Sequence, residues 1–370
     1  MKKRVAIVID SLAGGGAERV MLTLASSFLE AGHSVDMITL EDDREHSLPP
    51  GLRVHCCFGA KSGAITGFWR AAQSAAKLGR FIGAIEAAHG PFDLILSNLD
   101  KANLLMARLK LPHLFFVVHN SVEEELKRQR KLGPLAYFSM LRAKLALTGK
   151  RLVAVSRGIA DEILQTGRIH PLSIEVIYNP FDFPALAEKA SEPQDLPKGD
   201  YLVHVGRMAK QKRHDVLFQA LAQSRHGLPL VLLCQNVKKA RKLAKKYGVE
   251  DRLILPGFQT NPYPWIKEAK LLVLSSDYEG LPTVLIEALA LGTSVVSTDC
   301  PHGPNEILTG ELKRFLVPRR DSAALAAAMD DAVNHAAASD ALRPALPESL
   351  RRELEATQVM ARYLALCDKS

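Results

Sequence analysis

Short runs of apolar residues alternate along the whole chain with longer segments in which apolar positions recur at helical spacing. Strands that alternate with helices in this way predict βαβ units and parallel sheets. Some runs, such as 230–233, are apolar throughout, which is typical of strands covered by helices on both faces. The predicted strands are 5–9, 35–40, 94–97, 114–118, 152–155, 174–177, 201–205, 230–234, 253–255, 271–274, 294–297 and 315–317.

One segment, 183–199, interrupts the alternation with Pro184, Pro193, Pro197, Gly199 and several charges, and we predict that it is a linker. The two halves that it separates each begin with a strand followed by a polar turn. This pattern predicts an α/β protein of two doubly wound, Rossmann-like domains that face a cleft, with the ligand at the carboxyl ends of the strands. The expected bounds are 1–182 for the N-terminal domain, 200–345 for the C-terminal domain and 346–370 for a closing C-terminal helix.

The composition is that of an ordinary globular protein long enough for two cores, with 370 residues, 47% hydrophobic and 24% charged. The formal net charge of +8 favours anionic partners, namely phosphorylated small molecules, nucleic acid or an anionic membrane surface. The 5 cysteines lack the spacing of metal ligands, and their odd number favours a reducing compartment. Since no apolar run approaches the roughly 20 residues of a spanning helix, we expect a cytoplasmic protein.

The segment 277–287 carries the strongest sign of chemistry. It follows the predicted strand 271–274 and holds Glu279 and Glu287 eight positions apart. Pro282 suits the first turn of a helix, whose free N–H groups attract anions. Glu287 would lie inside an apolar helix, where a carboxylate is costly to bury without a partner. The segment therefore predicts a binding site.

Two further turns follow predicted strands. Gly14, Gly15 and Gly16 precede a helix and would let a ligand approach the backbone, although the spacing matches neither a dinucleotide-binding nor a P-loop motif and a flexible turn is the alternative. Arg207 and Lys212 supply a planar fork of donors and a mobile charge, a combination suited to a diphosphate. A solvated basic loop is the alternative there.

Other candidates carry both a functional and a structural interpretation. His119 ends the strand 114–118, where it is either a site residue or a hydrogen-bonded structural histidine. In the loop that follows the strand 294–297, His302 or Glu306 would face the cleft, or the loop is structural. The basic run 238–246 is interpreted as a solvated helix face, because no nucleic-acid-binding module accompanies it.

The segments 67–81 and 122–151 interleave basic residues, Lys144 among them, with aromatic and aliphatic ones. Basic amphipathic helices of this kind lie in anionic lipid interfaces. Helices packed on the core with a solvated charged face are the alternative. The partner predicted for these segments is an anionic membrane surface.

Three motifs in order resemble those of the family 4 retaining glycosyltransferases with the GT-B fold. They are Gly14-Gly15 with Glu18-Arg19, Gly206-Arg207 with Lys212, and Glu279 with Glu287 in Glu-Gly-Leu-Pro-Thr-Val-Leu-Ile-Glu. The resemblance covers nearly the whole chain and makes the N-terminal domain the acceptor side. It implies a hexosyltransferase or N-acetylhexosaminyltransferase that moves a sugar from a UDP-sugar to a membrane-linked glycolipid or a surface polysaccharide precursor. No metal, cofactor or nucleic acid is expected, and peripheral attachment at the inner face of the cell membrane is left open.

The resemblance also implies roles for individual residues. Arg207 and Lys212 would bind the diphosphate, Glu279 the transferred sugar and Glu287 the ribose, while His119 would lie beside the sugar. The implied catalytic residues are His119, Arg207, Lys212 and Glu279. The implied donor-binding residues are Gly15, Gly16, Arg207, Lys212, Gly280, Leu281, Pro282, Thr283 and Glu287.

One departure from the family lies at 234–237, where Cys-Gln-Asn-Val replaces a glycine-rich turn and leaves the base and the sugar open. Two alternatives to a transferase stay open at this point. One is a nucleotide-sugar epimerase of related GT-B architecture, and the other is a non-catalytic carbohydrate- or lipid-binding protein.

Overall fold

The structure is a computed structural model that describes residues 2–13, 15–59, 65–338 and 345–369. It contains two compact units, of which the first comprises Met1–Phe181 with Glu353–Ser370 and the second comprises Asp182–Arg352. Each unit contains a parallel sheet whose central strands are buried between helices, as the apolar runs predict. In the described parts of the chain, no helix is both long and apolar enough to span a bilayer.

The first unit is built on a seven-stranded parallel sheet with the order β3-β2-β1-β4-β5-β6-β7. Its order reverses between β1 and β4, a topological switch point of the kind at which doubly wound sheets bind ligands. The strands are β1 Arg4–Ile9, β2 Ser34–Thr39, β3 Arg53–Cys56, β4 Leu94–Asn98, β5 Leu114–Val118, β6 Arg151–Ala154 and β7 Ser173–Val176. The helices are α1 Gly16–Glu30, α2 Ala71–His89, α3 Asp100–Met106, α4 Val122–Arg130, α5 Pro134–Leu145 and α6 Arg157–Thr166.

The second unit is built on a six-stranded parallel sheet with the order β10-β9-β8-β11-β12-β13, which reverses between β8 and β11. The strands are β8 Leu202–Val205, β9 Leu230–Leu233, β10 Leu253–Gly257, β11 Leu271–Leu274, β12 Ser294–Thr298 and β13 Leu316–Val317. The helices are α7 Phe183–Lys189, α8 His214–Gln223, α9 Val237–Lys246, α10 Tyr263–Lys267, α11 Thr283–Ala290, α12 Pro304–Ile307, α13 Ser322–Ala338 and α14 Glu348–Leu354, whose last two residues belong to the first unit. Because the strands are parallel, the turns after β8 and β11 both lie at the carboxyl end of the sheet, and the pairing of β8 with β11 makes these turns neighbours.

The C-terminal segment, expected to form one closing helix, contains two helices, because the chain is extended at Glu355. Phe181 bonds to the backbone on both sides of this break, donating its N–H to Leu354 (2.8 Å) and accepting from Ala356 (2.9 Å). The second helix, α15 Ala356–Leu364, packs on α1 of the first unit.

Two further local features differ from the sequence prediction. The segment 183–199 contains helix α7, because the Asp182 carboxylate accepts from the Ala185 N–H (2.9 Å) and Pro184 fits the first turn. The proline that suggested a linker therefore marks a helix start. Strand β3 has no counterpart in the prediction. It lies at the sheet edge and is only partly buried, so its sequence lacks a continuous apolar run.

Candidate functional site

The loop that follows β8 carries the predicted diphosphate-binding cations. Gly206 leads into it, and a Cβ at this position would lie 3.1 Å from His204 Nε2 and 3.5 Å from the Lys212 stem, which explains the glycine. A 3₁₀ turn, Lys210–Lys212, then returns the chain towards the sheet. Arg207 is exposed, and within the described chain its side chain makes no hydrogen bond or ion pair, so its guanidinium is available to a ligand.

Lys212 and Glu279 form an ion pair, with Nζ 2.8 Å from Oε1. The side chains are only 18% and 10% exposed, so both charges are substantially desolvated and each needs the other. The Ser275 hydroxyl donates to the Lys212 carbonyl oxygen (2.7 Å) and fixes the loop to the end of β11. Lys212, predicted to bind the diphosphate, and Glu279, predicted to bind the sugar, are thus brought together inside one unit.

The turn that holds Glu279 is braced by the loop that follows β12. The Glu279 N–H donates to the Pro301 carbonyl (2.7 Å), and the His302 N–H donates to the Glu279 carbonyl (3.0 Å). Gly303 has φ +96°, and a Cβ there would lie 2.5 Å from Pro282 Cδ, so only glycine fits. The backbone of this loop therefore supports the Glu279 turn.

Helix α11 begins at Thr283, so Pro282 is its N-cap residue and not part of its first turn as the sequence suggested. The first N–H groups of a helix have no acceptor within the helix and face outward from its start. Glu287 lies one turn further on and is 3% exposed among apolar neighbours. Gly280, Leu281 and Pro282 are buried with it, and Thr283 is half-buried.

In the first unit, His119 follows β5 and its Nε2 lies 2.9 Å from the Oδ1 of Asn98, the last residue of β4. The Asn98 amide also donates to the carbonyls of Val8 (3.3 Å) and Leu96 (3.0 Å), which fixes its orientation. Burial lowers the pKa of His119 to about 4, so the imidazole is neutral near pH 7.

The sequence analysis missed a polar cluster close to His119. Asp10, at the end of β1, accepts from the Ala102 N–H (2.8 Å), and burial raises the pKa of Asp10 to about 7. Lys144 Nζ lies 2.7 Å from Asp100 Oδ1 and 2.6 Å from Glu125 Oε2. The position of Asp10 directly after a predicted strand could have indicated a site residue. The ion pairs of Lys144 could not be predicted, because they depend on how the helices pack.

Lys144 corrects the prediction for 122–151, which counted it among the basic residues that face a membrane. It is 4% exposed, and although burial by itself lowers its pKa, the charges of Glu125 and Asp100 raise the net pKa above its usual range. Within 67–81, Ala71, Ser74, Ala75 and Leu78 are also buried, on helix α2.

The glycines before α1 are only partly described, because Gly14 lies outside the described residues. Gly15 is the N-cap residue of α1, and a Cβ there would overlap the Glu18 carboxylate, which lies over it. Gly16 has open space at the Cβ position. Contact with the protein itself therefore explains a glycine at position 15 but not at position 16.

Family models match both parts of the chain. Residues 14–183 match Glycosyltransferase Family 4, and residues 187–346 match Glycosyl transferases group 1. The chain is a group 1 glycosyltransferase.

The names of two relatives describe transferases that act on bacterial glycolipids. The glycosyltransferase is 28% identical, over 82% of its length and 83% of the relative, to N-acetylgalactosamine-N,N'-diacetylbacillosaminyl-diphospho-undecaprenol 4-alpha-N-acetylgalactosaminyltransferase of Campylobacter jejuni. It is 31% identical to lipopolysaccharide 1,6-galactosyltransferase of Salmonella typhimurium, but this match covers 43% of the chain and 47% of that relative.

Among solved structures, HepE of Anabaena in complex with UDP-glucose matches 99% of the glycosyltransferase with a TM-score of 0.67. The match covers 97% of HepE at 19% identity, so it shows the fold alone. The fold is GT-B, with two Rossmann-like domains, as the sequence predicts.

Two buried histidines lie beneath the cation loop of the glycosyltransferase. His204 Nδ1 lies 2.8 Å from the Val273 carbonyl, and the rings of His204 and His214 are 4.9 Å apart with an angle of 71° between their planes. Burial lowers the pKa of His204 to about 4, and burial together with the charge of His204 lowers that of His214 to about 2. Both rings are therefore neutral beside Lys212.

These histidines predict acid sensitivity of folding. Each has a folded pKa below its ordinary 6.5, so the unfolded chain binds more protons and stability falls as the pH drops from about 6.5, to about 4 for His204 and to about 2 for His214. We expect His204→Phe to reduce the slope of the unfolding free energy against pH by about 1.4 kcal/mol per pH unit near pH 5. Urea unfolding between pH 7 and 4.5 measures this slope. Phe218→Leu is the control, since it weakens the same core and removes no titrating group; an unchanged slope in His204→Phe would contradict the assignment.

Proposed function

We propose that the protein is a retaining, metal-independent glycosyltransferase. It moves a hexose or N-acetylhexosamine from a UDP-sugar to a membrane-linked glycolipid or a surface polysaccharide precursor. The observation that carries the proposal is the Lys212–Glu279 ion pair at the switch point of the second sheet.

The binding of the donor's diphosphate follows from the charges at the carboxyl end of the second sheet. Breaking the bond between sugar and phosphate develops negative charge on the departing diphosphate, and fixed cations stabilise it. Arg207 and Lys212 are the two cations of the loop that we assign to the diphosphate, and the first N–H groups of α11 are a further anion-binding element. In this mechanism the two side chains take the place of a metal ion.

Glu279 and Glu287 are suited to hydroxyl groups. A buried carboxylate is stabilised when hydroxyls donate to it. When the diphosphate attracts Lys212, the hydroxyls of the transferred sugar would replace the lysine at Glu279. Glu287 would accept from the ribose hydroxyls in the same way.

Retention would proceed by attack of the acceptor hydroxyl on the face that the diphosphate leaves, through an oxocarbenium-like state, with the departing phosphate taking the acceptor proton. His119 contributes a neutral imidazole, because its low pKa keeps it uncharged near pH 7. The names of the Campylobacter and Salmonella relatives support a lipid-linked saccharide or a lipopolysaccharide as acceptor.

An exposed apolar patch on the first unit supports peripheral membrane attachment. This aromatic surface consists of Phe68, Trp69, Leu132, Leu135 and Phe138, of which Trp69 and Leu135 are 87% and 88% exposed. Arg142 joins its two segments, since its guanidinium donates to the Thr66 carbonyl and lies 5.8 Å from the Phe68 ring.

Basic residues precede Leu132 of this surface in the chain. They are Lys127, Arg128 and Arg130 on α4 and Lys131 directly after that helix. Apolar side chains surrounded by positive charge are typical of proteins that bind anionic lipid interfaces. We propose that the protein is cytoplasmic and binds at the inner face of the cell membrane through this surface.

The cation loop gives the first test. We expect Arg207→Ala and Lys212→Ala each to lower the turnover of a UDP-sugar by on the order of a hundredfold, because the departing diphosphate loses a fixed charge. Lys210→Ala is the matched control, an exposed lysine in the same loop. Transfer is measured with and without glycolipid acceptor and with EDTA. Release of nucleotide without acceptor would favour an epimerase, and loss of activity in EDTA would contradict metal independence.

Glu279 gives the second test. Glu279→Gln keeps the shape of the side chain and removes the charge that holds Lys212. We expect the affinity for free UDP to be kept or raised, while transfer falls by on the order of a hundredfold. Calorimetry with UDP and a transfer assay measure the two effects. Glu311→Gln, an exposed glutamate of the same unit, is the control. Undiminished transfer in Glu279→Gln would remove Glu279 from the site.

The aromatic surface gives the third test. Replacing Trp69 and Leu135 with serine removes the two most exposed side chains of this surface and should lower partitioning onto vesicles containing phosphatidylglycerol by roughly tenfold or more. Vesicle sedimentation measures the partitioning, with phosphatidylcholine vesicles for comparison. Leu172→Ser, a similarly exposed leucine elsewhere on the first unit, should bind like the unmodified protein. Equal binding by all three proteins would contradict the assignment.

A further inference from the structure

Asp277 lies between β11 and Glu279, and three arginines from two other segments converge on it. Arg213 Nη1 lies 3.1 Å from Asp277 Oδ1, while Arg320 Nε and Nη2 lie 2.9 Å and 3.0 Å from its two carboxylate oxygens. Arg319 donates to the Asp277 carbonyl (2.7 Å). We call Asp277 with Arg213 and Arg320 the carboxylate clasp.

Both arginines of the clasp have left-handed backbone conformations, with φ +48° at Arg213 and φ +64° at Arg320. This region favours glycine, and other residues are held in it only by their surroundings. Two strained positions from separate segments therefore direct guanidinium groups to Asp277, and Arg213 bonds at the same time to Asp215, with Nε 2.9 Å from Oδ1 and Nη2 2.8 Å from Oδ2. Ion pairs as exposed as Arg320–Asp277 contribute little to stability, so stability alone does not explain the arrangement.

The clasp adjoins both members of the Lys212–Glu279 pair. Arg213 directly follows Lys212, and Asp277 precedes Glu279 by two residues. The backbone is cross-linked at the same place, since the Asp277 N–H donates to the Gln211 carbonyl (2.8 Å) and the Gln211 amide donates to the Tyr278 carbonyl (2.7 Å). Fixing Asp277 to the arginines thus fixes the cation loop to the glutamate turn.

We propose that Asp277 is a positioning residue of the donor site, which through Arg213 and Arg320 holds Lys212 and Glu279 in their binding geometry before the donor arrives. This inference rests on the proposed function. Pre-organised groups bind a ligand more tightly because less freedom is lost on binding. The clasp therefore acts mainly on donor affinity, and the arginines need not touch the donor.

Three variants test the clasp in the full-length protein. Asp277→Asn removes the carboxylate charge with little change of shape. Arg320→Gly removes one guanidinium and leaves a residue that adopts φ +64° without strain, so folding is not at risk. Arg320→Lys retains a charge without the planar fork. Arg241→Gln, which breaks an exposed ion pair with Glu250 in the same unit, is the control.

We expect Asp277→Asn and Arg320→Gly to raise the KM for the UDP-sugar about tenfold with a much smaller change in kcat. Arg320→Lys should recover part of the loss. The melting temperature of Arg320→Gly should stay within about 2 °C of the unmodified protein or rise, because strain is relieved. A purely structural ion pair would instead lower the melting temperature and leave KM unchanged, and that result would overturn the proposal.

Hydrogen exchange of the backbone amides at 207–213 in the ligand-free protein tests the clasp without a donor. We expect faster exchange in Asp277→Asn and Arg320→Gly but not in Arg241→Gln. If the unmodified protein bound no UDP, the proposed function would fail while this measurement still decided whether the clasp holds the loop. Unchanged exchange in both clasp variants would reject the clasp itself.

Discussion

The ion pair between Lys212 and Glu279 is the constraint around which the second unit's site is organised. Both charges lie largely out of water, so neither is stable without a partner. An anion that takes Lys212 leaves Glu279 in need of donors, which the hydroxyls of a sugar can supply. Under the proposed function, a nucleotide sugar satisfies both groups at once, whereas a bare diphosphate satisfies one. The pair thus links the two ends of the donor.

The core strands were predictable because strands buried on both faces are continuous apolar runs. The runs 114–118 and 271–274 match β5 and β11 residue for residue. Strand β3 was not predictable in this way, since Arg53 and His55 alternate with apolar residues and their side chains bond to Asp36 on β2. Such contacts join distant parts of the chain and leave no local pattern.

The same distinction applies to the candidate site. Lys212 and Glu279 could be anticipated because each belongs to a turn at the carboxyl end of a strand, although their direct contact depends on β8 lying beside β11. The clasp could not be predicted from the sequence, because Arg213 and Arg320 reach Asp277 only through left-handed backbone conformations in two distant segments. Lys144 was misjudged as an exposed charge, since its partners Asp100 and Glu125 lie on two other helices.

Helix α5 departs from the usual amphipathic arrangement, in which apolar side chains face inward and charges face water. Its Lys144 is buried between two carboxylates, while Leu135 and Phe138 point outward and are largely exposed. The inward charge is tolerated because Asp100 and Glu125 neutralise it. The outward face has no such compensation in water, and contiguous exposed apolar surface marks an interaction site. An anionic lipid interface would cover this face while attracting the basic side chains of α4, which is why the inverted helix agrees with a lipid-borne acceptor.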